Sequence, residues 1–258
     1  MSAPPTPLLT GPVSGLSDER LFELFLAEVA REQLGQWLPA VPQTILDLSR
    51  QAPALLGLMV DAGHTVVHAN AETRRLDIAP APGHGRGPGR LSTVRADPRL
   101  LDWVADGTID AVVAEGGVLS QALAAELTLE DINRSLKPGG ALLLCADSLV
   151  AGLARLADLG RWAELADVPA ADVVLIPGDD GSVSRCFWPE ELHGMLASTG
   201  FDVDWIRPRT VLAEDTVARA LRVDLGQLPS LVATELALSR RREGESIGGR
   251  LVASARKR

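Results

Sequence analysis

The sequence predicts an α/β fold in which helices cover both faces of a central sheet, a three-layer αβα sandwich. Short apolar runs of strand length alternate with longer segments whose apolar residues recur at the helical spacing of about 3.6 residues. The run from Ala141 to Cys145 is apolar throughout, as strands are when both faces of a parallel sheet are covered. Regular alternation of such strands with helices is typical of this architecture.

Length and charge restrict the function before any motif is considered. The chain has 258 residues, a length that suits one large domain, and a net charge of −9. An acidic surface argues against nucleic acid and anionic membranes as partners. The two cysteines, Cys145 and Cys186, lack metal-ligand spacing, and the start of the sequence does not have the pattern of a signal peptide. We therefore expect a cytoplasmic protein with two buried thiols and no metal site.

The first forty residues fall into two parts. Residues 1–16 are rich in proline, glycine and serine and are predicted to form a flexible N-terminal arm. Ser17 has the character of a helix N-cap, and an amphipathic stripe follows it to about Trp37. We expect residues 17–40 to form a helix at the flank of the sheet. The same helix could instead be a lid over a substrate site or face a second copy in a homodimer.

The opening strand, turn and helix are the most informative part of the chain. Residues 44–48 have the pattern of a buried strand, and a helix from Ala54 is ended by Gly63. In a parallel sheet the turn after the first strand lies at the carboxyl edge, beside the crevice where ligands bind. This turn, residues 49–53, contains no glycine. Nucleotide-type ligands usually require glycine here, because only a residue without Cβ lets the backbone approach so closely.

The rest of the chain continues the alternation of strands and helices. A Gly/Pro-rich segment at 79–90 has no periodicity and is predicted to be a surface loop, whose arginines could contact an anion. Further strands are predicted at 64–70, 91–97, 108–115, 141–145, 173–176, 201–206 and 249–255. Further helices are predicted from Pro98 to about 104, from a Thr128/Asp131 capping box to Leu136, at 149–162, from Pro189 to Gly200 and at 231–241.

Two segments in the middle of the chain resemble a known family. The segment 108–120, followed by 129–144, is similar to the central part of class I S-adenosylmethionine (SAM)-dependent methyltransferases. The most specific piece is Leu136-Lys-Pro-Gly-Gly140, a turn before a buried strand. Trp188-Pro-Glu-Glu-Leu192 and the closing Leu251-Val-Ala-Ser-Ala-Arg256 are similar to the second half of that family.

The resemblance covers roughly residues 40 to 255 and has consequences for fold and function. It implies a Rossmann-like, mostly parallel seven-stranded sheet whose last strand runs antiparallel. Residues 41–258 would form the methyltransferase-like domain. The implied cofactor is SAM, and the implied substrate is a small-molecule acceptor.

Four candidate site residues follow from matching the family's positions. Asp47 stands where the family keeps an acidic residue near the methionine end of the cofactor. Asp97 stands where the family often has an Asp near the adenine amino group. Glu115 lies at a strand end beside the transferable methyl, where it would orient or deprotonate the acceptor as the catalytic residue. Asn70 replaces the acid that holds the ribose hydroxyls, so its bond to the ribose would be weaker than one from a charged group.

The cofactor turn departs most from the family. Ser49, Gln51 and Pro53 stand where the family has its glycines, and Ser49 and Gln51 are also candidate cofactor-binding residues by that match. Their side chains occupy volume that the amino-acid part of SAM would fill, and Pro53 has no N–H to donate. Loss of two or three contacts, each worth about 1–3 kcal/mol, would change a micromolar site into a millimolar one.

The histidines add no second catalytic signal. His64, His68, His84 and His193 lack ligand spacing, and each is predicted to be a turn or surface residue. His68 is predicted to lie closest to the crevice.

Two functions therefore remain open from the sequence. The first is methyl transfer from SAM to a small molecule, with weakened cofactor binding. The second is an inactive relative that has lost SAM and acts as the partner subunit of another protein or binds another ligand, because a fold alone does not establish a function.

Overall fold

A computed structural model describes residues 16–50, 53–71, 89–171, 173–178 and 181–258. Most of the arm predicted at 1–16, most of the loop at 79–90 and two of the residues predicted in the cofactor turn, Gln51 and Ala52, lie outside these ranges. The strands are β1 (Thr44–Asp47), β2 (Thr65–Asn70), β3 (Arg90–Arg95), β4 (Ile109–Ala114), β5 (Leu136–Asp147), β6 (Val174–Pro177), β7 (Val183–Cys186), β8 (Phe201–Arg209) and β9 (Arg250–Lys257).

Most of the helices lie between strands in chain order, as the sequence predicts. They are α1 (Asp18–Trp37), α2 (Pro53–Asp61), α3 (Ala125–Ser135), α4 (Leu149–Asp158), α5 (Trp162–Asp167), α6 (Pro189–Ser198), α7 (Glu214–Val223) and α8 (Leu228–Arg241). Within the described ranges, none of them combines the length and the apolar character needed to cross a bilayer.

Seven strands form one sheet in the order β3-β2-β1-β4-β5-β9-β8. The first five strands are parallel to their neighbours, and β9 runs antiparallel between β5 and β8. β6 and β7 form a separate antiparallel pair. The predicted fold class and the antiparallel last strand are confirmed. Because β8 and β5 both run antiparallel to β9, β8 has the same direction as the parallel strands and ends at the same edge of the sheet.

Helices cover both faces of this sheet. On one face Leu46 packs with Leu129 of α3 and Leu192 of α6. On the other face Ile45 packs with Leu34 of α1 and Leu56 of α2. Alternate residues of β1 thus point to opposite sides, as the period of a strand requires. A further cluster joins α1 to α7 and α8, and α8 also contacts β8 directly.

Several local predictions hold. The Ser17 side chain accepts a hydrogen bond from the Arg20 amide at the start of α1. Gly63, just after α2, has a φ of 92°, a left-handed conformation that glycine adopts without steric cost. Pro189 occupies the first turn of α6, where its missing N–H leaves no intrahelical bond unmade.

The helix predicted from Pro98 to about residue 104 is wrong, because this segment forms successive turns. The guanidinium of Arg134 in α3 donates to the carbonyl oxygens of Leu101 and Val104, each at 2.7 Å. Those carbonyls are therefore satisfied by a distant side chain instead of by helical amides. Tertiary contacts have overridden the local helix signal.

Two other local predictions also need correction. α3 begins at Ala125, so Thr128 lies inside the helix and does not cap it; its hydroxyl donates to the Arg99 carbonyl at 3.2 Å. The segment 137–140 continues β5 with a register shift in its pairing to β4, where a separate turn was expected. α7 was not predicted at all.

Candidate functional site

The polar residues that follow several strands meet at the carboxyl edge of the sheet. Asp47 ends β1, Glu115 follows β4 and Arg209 ends β8. All three are at least 96% buried. Charged groups at this depth need partners, because an unpaired charge removed from water is costly. Each of them has such partners within the fold.

Asp47, Ser49, His68 and the Glu115 amide form a closed hydrogen-bond network, here called the β1-turn network. One carboxylate oxygen of Asp47 accepts from the Ser49 hydroxyl at 2.6 Å. The other lies 2.6 Å from Nδ1 of His68. The Ser49 hydroxyl in turn accepts from the amide of Glu115 at 3.1 Å. The described polar groups of the turn are thus directed at one another.

The backbone around Ser49 is engaged in the same way. The amide of Ser49 donates to Asp47 at 3.4 Å, and the amide of Arg50 donates to the carbonyl oxygen of Glu115, also at 3.4 Å. Gly116, with φ of 79°, packs so closely that an added Cβ would lie 3.3 Å from the Arg50 carbonyl oxygen. The described donors and acceptors of the turn are thus bonded within the fold, which leaves few of them for a cofactor.

The residues predicted for the ribose and adenine lie at the same edge. Asn70 ends β2, and its carbonyl oxygen accepts from the Ala96 amide at 3.1 Å. The Asp97 carboxylate accepts from the Arg99 guanidinium at 2.9 and 2.7 Å. These bonds from Arg99 hold the pKa of Asp97 below its usual range. Contact of Asn70 and Asp97 with a cofactor stays a prediction.

Glu115 forms a buried ion pair with Arg209. Two parallel bonds of 2.8 Å join the guanidinium to the two carboxylate oxygens. Gln33 of α1 accepts from the same guanidinium at 3.1 and 2.7 Å. Burial raises the pKa of Glu115, but attraction to Arg209 outweighs it, so the pKa lies below its usual value. Burial would lower the pKa of Arg209, and Glu115 reverses that effect.

This pair affects two sequence-based expectations. A carboxylate bound on both oxygens and lowered in pKa is a weak base, so the geometry does not favour Glu115 as the group that deprotonates an acceptor. Through Gln33 the pair also fastens α1 to the sheet. A lid movement of α1 would break bonds to a buried charge, and such bonds are costly to lose.

The prediction that His64 and His68 are turn or surface residues is wrong. His64 is fully buried and His68 is 2% exposed. Nδ1 of His64 accepts from the Gln43 amide at 3.1 Å, and burial lowers the pKa of this imidazole. His193 is exposed, as predicted, and His84 lies outside the described residues. His68 is close to the crevice, although it faces Asp47 and the interior.

The sequence analysis did not identify Arg209 or its partner Gln33 as part of the site. Arg209 and Gln33 lie 176 residues apart, and Arg209 and Glu115 lie 94 apart, so no local spacing connects them. Arg250, the first residue of β9, lies opposite both Asp147 on β5 and Arg209 on β8.

A cavity of about 310 Å³ opens next to Arg250, between α1, the end of β8 and the start of β9. It is called the α1–β9 cavity below. Its walls are formed by Phe22, Leu26, Thr210, Leu212, Ala213, Glu214, Gly249 and Arg250.

The strand order, with an antiparallel strand inserted next to β5, defines a methyltransferase-type Rossmann fold. Solved structures that match this chain include a SAM-dependent methyltransferase from Methanosarcina mazei, at 17% identity and a TM-score of 0.54 over 87% of this chain and 96% of the other. Another is 1,6-didemethyltoxoflavin-N1-methyltransferase from Burkholderia thailandensis with S-adenosylhomocysteine, at 18% identity and a TM-score of 0.54 over 89% and 79%.

The same fold also occurs with another activity. The cyclase SpnF matches at 16% identity and a TM-score of 0.52, over 88% of this chain and 79% of the other. No protein-family model and no curated protein matches the sequence. The protein thus has the fold of class I SAM-dependent methyltransferases, and the fold is all that identities this low establish.

Proposed function

We propose that this protein uses the methyltransferase fold without the usual cofactor. It binds a small molecule at the carboxyl edge of the sheet and does not transfer a methyl group from SAM. The β1-turn network supports this most strongly, because it uses both oxygens of Asp47 and the Ser49 hydroxyl internally. The cyclase SpnF, a structural neighbour, supports the premise that this fold can carry an activity other than methyl transfer.

The cost of breaking this network can be expressed as a loss of affinity for SAM. A cofactor that took the place of Ser49 and His68 as donors to Asp47 would break bonds that the fold already makes. Each buried bond given up costs about 1–3 kcal/mol. Two such losses, about 2–6 kcal/mol together, weaken binding by a factor of roughly 30 to 20,000. At the upper end of this range, a micromolar site would become one of about 20 mM.

Calorimetric titration with SAM and with S-adenosylhomocysteine tests the proposal. We expect no binding heat from either compound at concentrations up to about 1 mM. A dissociation constant in the millimolar range or tighter for either compound would contradict the loss of the cofactor.

Methyl transfer to a small-molecule acceptor is the second candidate. The carboxylates of Asp47, Asp97 and Glu115 at the positions expected from the family favour it, as does the methyltransferase neighbour that contains S-adenosylhomocysteine. Under this candidate Asp97 contacts the adenine. The cofactor should then raise the melting temperature of the parent protein more than that of an Asp97→Ala variant. Equal shifts in the two proteins would count against that contact.

A further inference from the structure

The geometry points to a single carboxylate, carried on an apolar body, as the ligand of the α1–β9 cavity, with Arg250 as its anchor. This inference rests on the proposed function, since it specifies the class of small molecule that the crevice binds. It does not require that SAM be absent, so the two proposals can fail separately.

Arg250 is a partly buried cation whose charge is not matched locally. Among the described residues, no carboxylate oxygen lies within 4.0 Å of its nitrogen atoms. Its neighbour across the strand, Arg209, takes both oxygens of Glu115. Asp147 and Glu115 attract Arg250 only from a longer distance. A guanidinium that is partly removed from water gains most from an anion that forms hydrogen bonds with it.

The opposite side of the cavity is apolar. Phe22 and Leu26 project from α1, and Leu212 and Ala213 come from the segment after β8. A volume of about 310 Å³ is at the lower end of the range for small-molecule sites, roughly 300–1,000 Å³. One cation facing an apolar wall selects a compact molecule with one charged end.

The floor of the cavity is a rigid corner of backbone. Thr210 has φ of 65° and is the one non-glycine residue with positive φ in the described part of the chain. Its hydroxyl accepts from the Gly249 amide at 2.5 Å. At Gly248 an added Cβ would lie 2.6 Å from the carbonyl oxygen of Arg209. Strained residues persist where the surroundings enforce them, and they concentrate at ligand sites. The corner fixes the backbone position of Arg250.

The surrounding charges favour a carboxylate over a phosphate. Glu214 lies at the exposed rim of the cavity, and Asp147 lies opposite Arg250 on β5. One guanidinium can neutralise one negative charge by two parallel bonds. The second charge of a phosphate monoester would face Glu214 without a cation of its own.

Three probes of similar shape test the inference in calorimetric titrations of the full chain: 3-phenylpropanoate, its neutral amide and phenethyl phosphate. We expect the carboxylate to bind at least about tenfold more tightly than the amide, the factor expected for one charge-assisted bond pair. We also expect it to bind more tightly than the phosphate. In Arg250→Gln the preference for the carboxylate should disappear. Arg219→Gln, which removes an exposed charge on α7 outside the cavity lining, should retain it.

Several results would overturn the inference: no binding of the carboxylate, equal binding of carboxylate and amide, tighter binding of the phosphate, or unchanged affinity in Arg250→Gln. The comparison of carboxylate with amide uses the parent protein, so it does not depend on the folding of any variant. Titration with S-adenosylhomocysteine in parallel separates the two proposals. If S-adenosylhomocysteine binds and the Arg250 dependence is also found, only the loss of the cofactor is refuted.

Discussion

The ion pair between Glu115 and Arg209 allows a sharp test of how this edge of the sheet is stabilised. Both side chains are at most 5% exposed. The substitution Arg209→Met keeps most of the side-chain volume and leaves the Glu115 carboxylate buried without its bidentate partner. Removal of one member of a buried pair costs about 3–5 kcal/mol. That is a large fraction of the stability of a typical protein, about 5–15 kcal/mol.

Equilibrium unfolding in urea measures this loss. With a denaturant slope of about 3 kcal/mol/M, the midpoint should fall by about 1–2 M. The double variant Glu115→Leu/Arg209→Met should recover most of the loss, because no unpaired charge remains. Arg258→Met is the control, since its pair with Asp202 is more than half exposed on both sides and should contribute about 0–1 kcal/mol. A shift in Arg209→Met no larger than in this control would refute the reasoning.

Three further predictions concern acid, thiols and the corner beside the cavity. Because the pKa of Glu115 is lowered in the folded state, its pairing stabilises the fold fully above about pH 4.5 and less as the pH falls through the folded pKa. The difference in stability between the parent and Glu115→Gln should therefore shrink below about pH 4. A difference that stays constant with pH would contradict this. Burial raises the pKa of both Cys145 and Cys186 to about 12, so the native protein should react with a thiol reagent far more slowly than the urea-unfolded chain; equal rates would show exposed thiols. Gly248→Ala should lower the unfolding midpoint, because its Cβ would collide with backbone at φ of 100°; an unchanged midpoint would mean that the corner relaxes easily.

The sheet could be predicted because its signals are local. Each strand is short and apolar, and the class follows from the alternation alone. The segment from Pro98 to about residue 104 could not be predicted correctly, because Arg134 satisfies its carbonyls from a helix about thirty residues away in sequence. Thr128 has the residue pattern of a helix cap, but the packing of its hydroxyl against Arg99 places it inside the helix. Tertiary hydrogen bonds decided both cases.

The candidate site could be predicted only in part, for the same reason. The positions of Asp47 and Glu115 follow from where their strands end. The partners of these carboxylates do not, because His68 comes from the neighbouring strand and Arg209 from the far side of the sheet. His68 was expected in a turn or at the surface because the histidines lack ligand spacing in the sequence. The hydrogen bond between His68 and the buried carboxylate of Asp47 compensates for the burial of the imidazole.

The position of β9 in the sheet affects the order in which the protein can fold during synthesis. This strand pairs with β5 on one side and β8 on the other, so the ribosome must deliver almost the whole chain before the sheet can be completed. Until then the edge of β5 that pairs with β9 is unpaired. Glu115 also lacks its partner until Arg209, 94 residues later in the sequence, has been translated. Domains generally fold as units, and here the sheet cannot be completed before β9 has been synthesised. A ribosome stalled ahead of residue 250 should therefore carry a loosely structured, protease-sensitive intermediate.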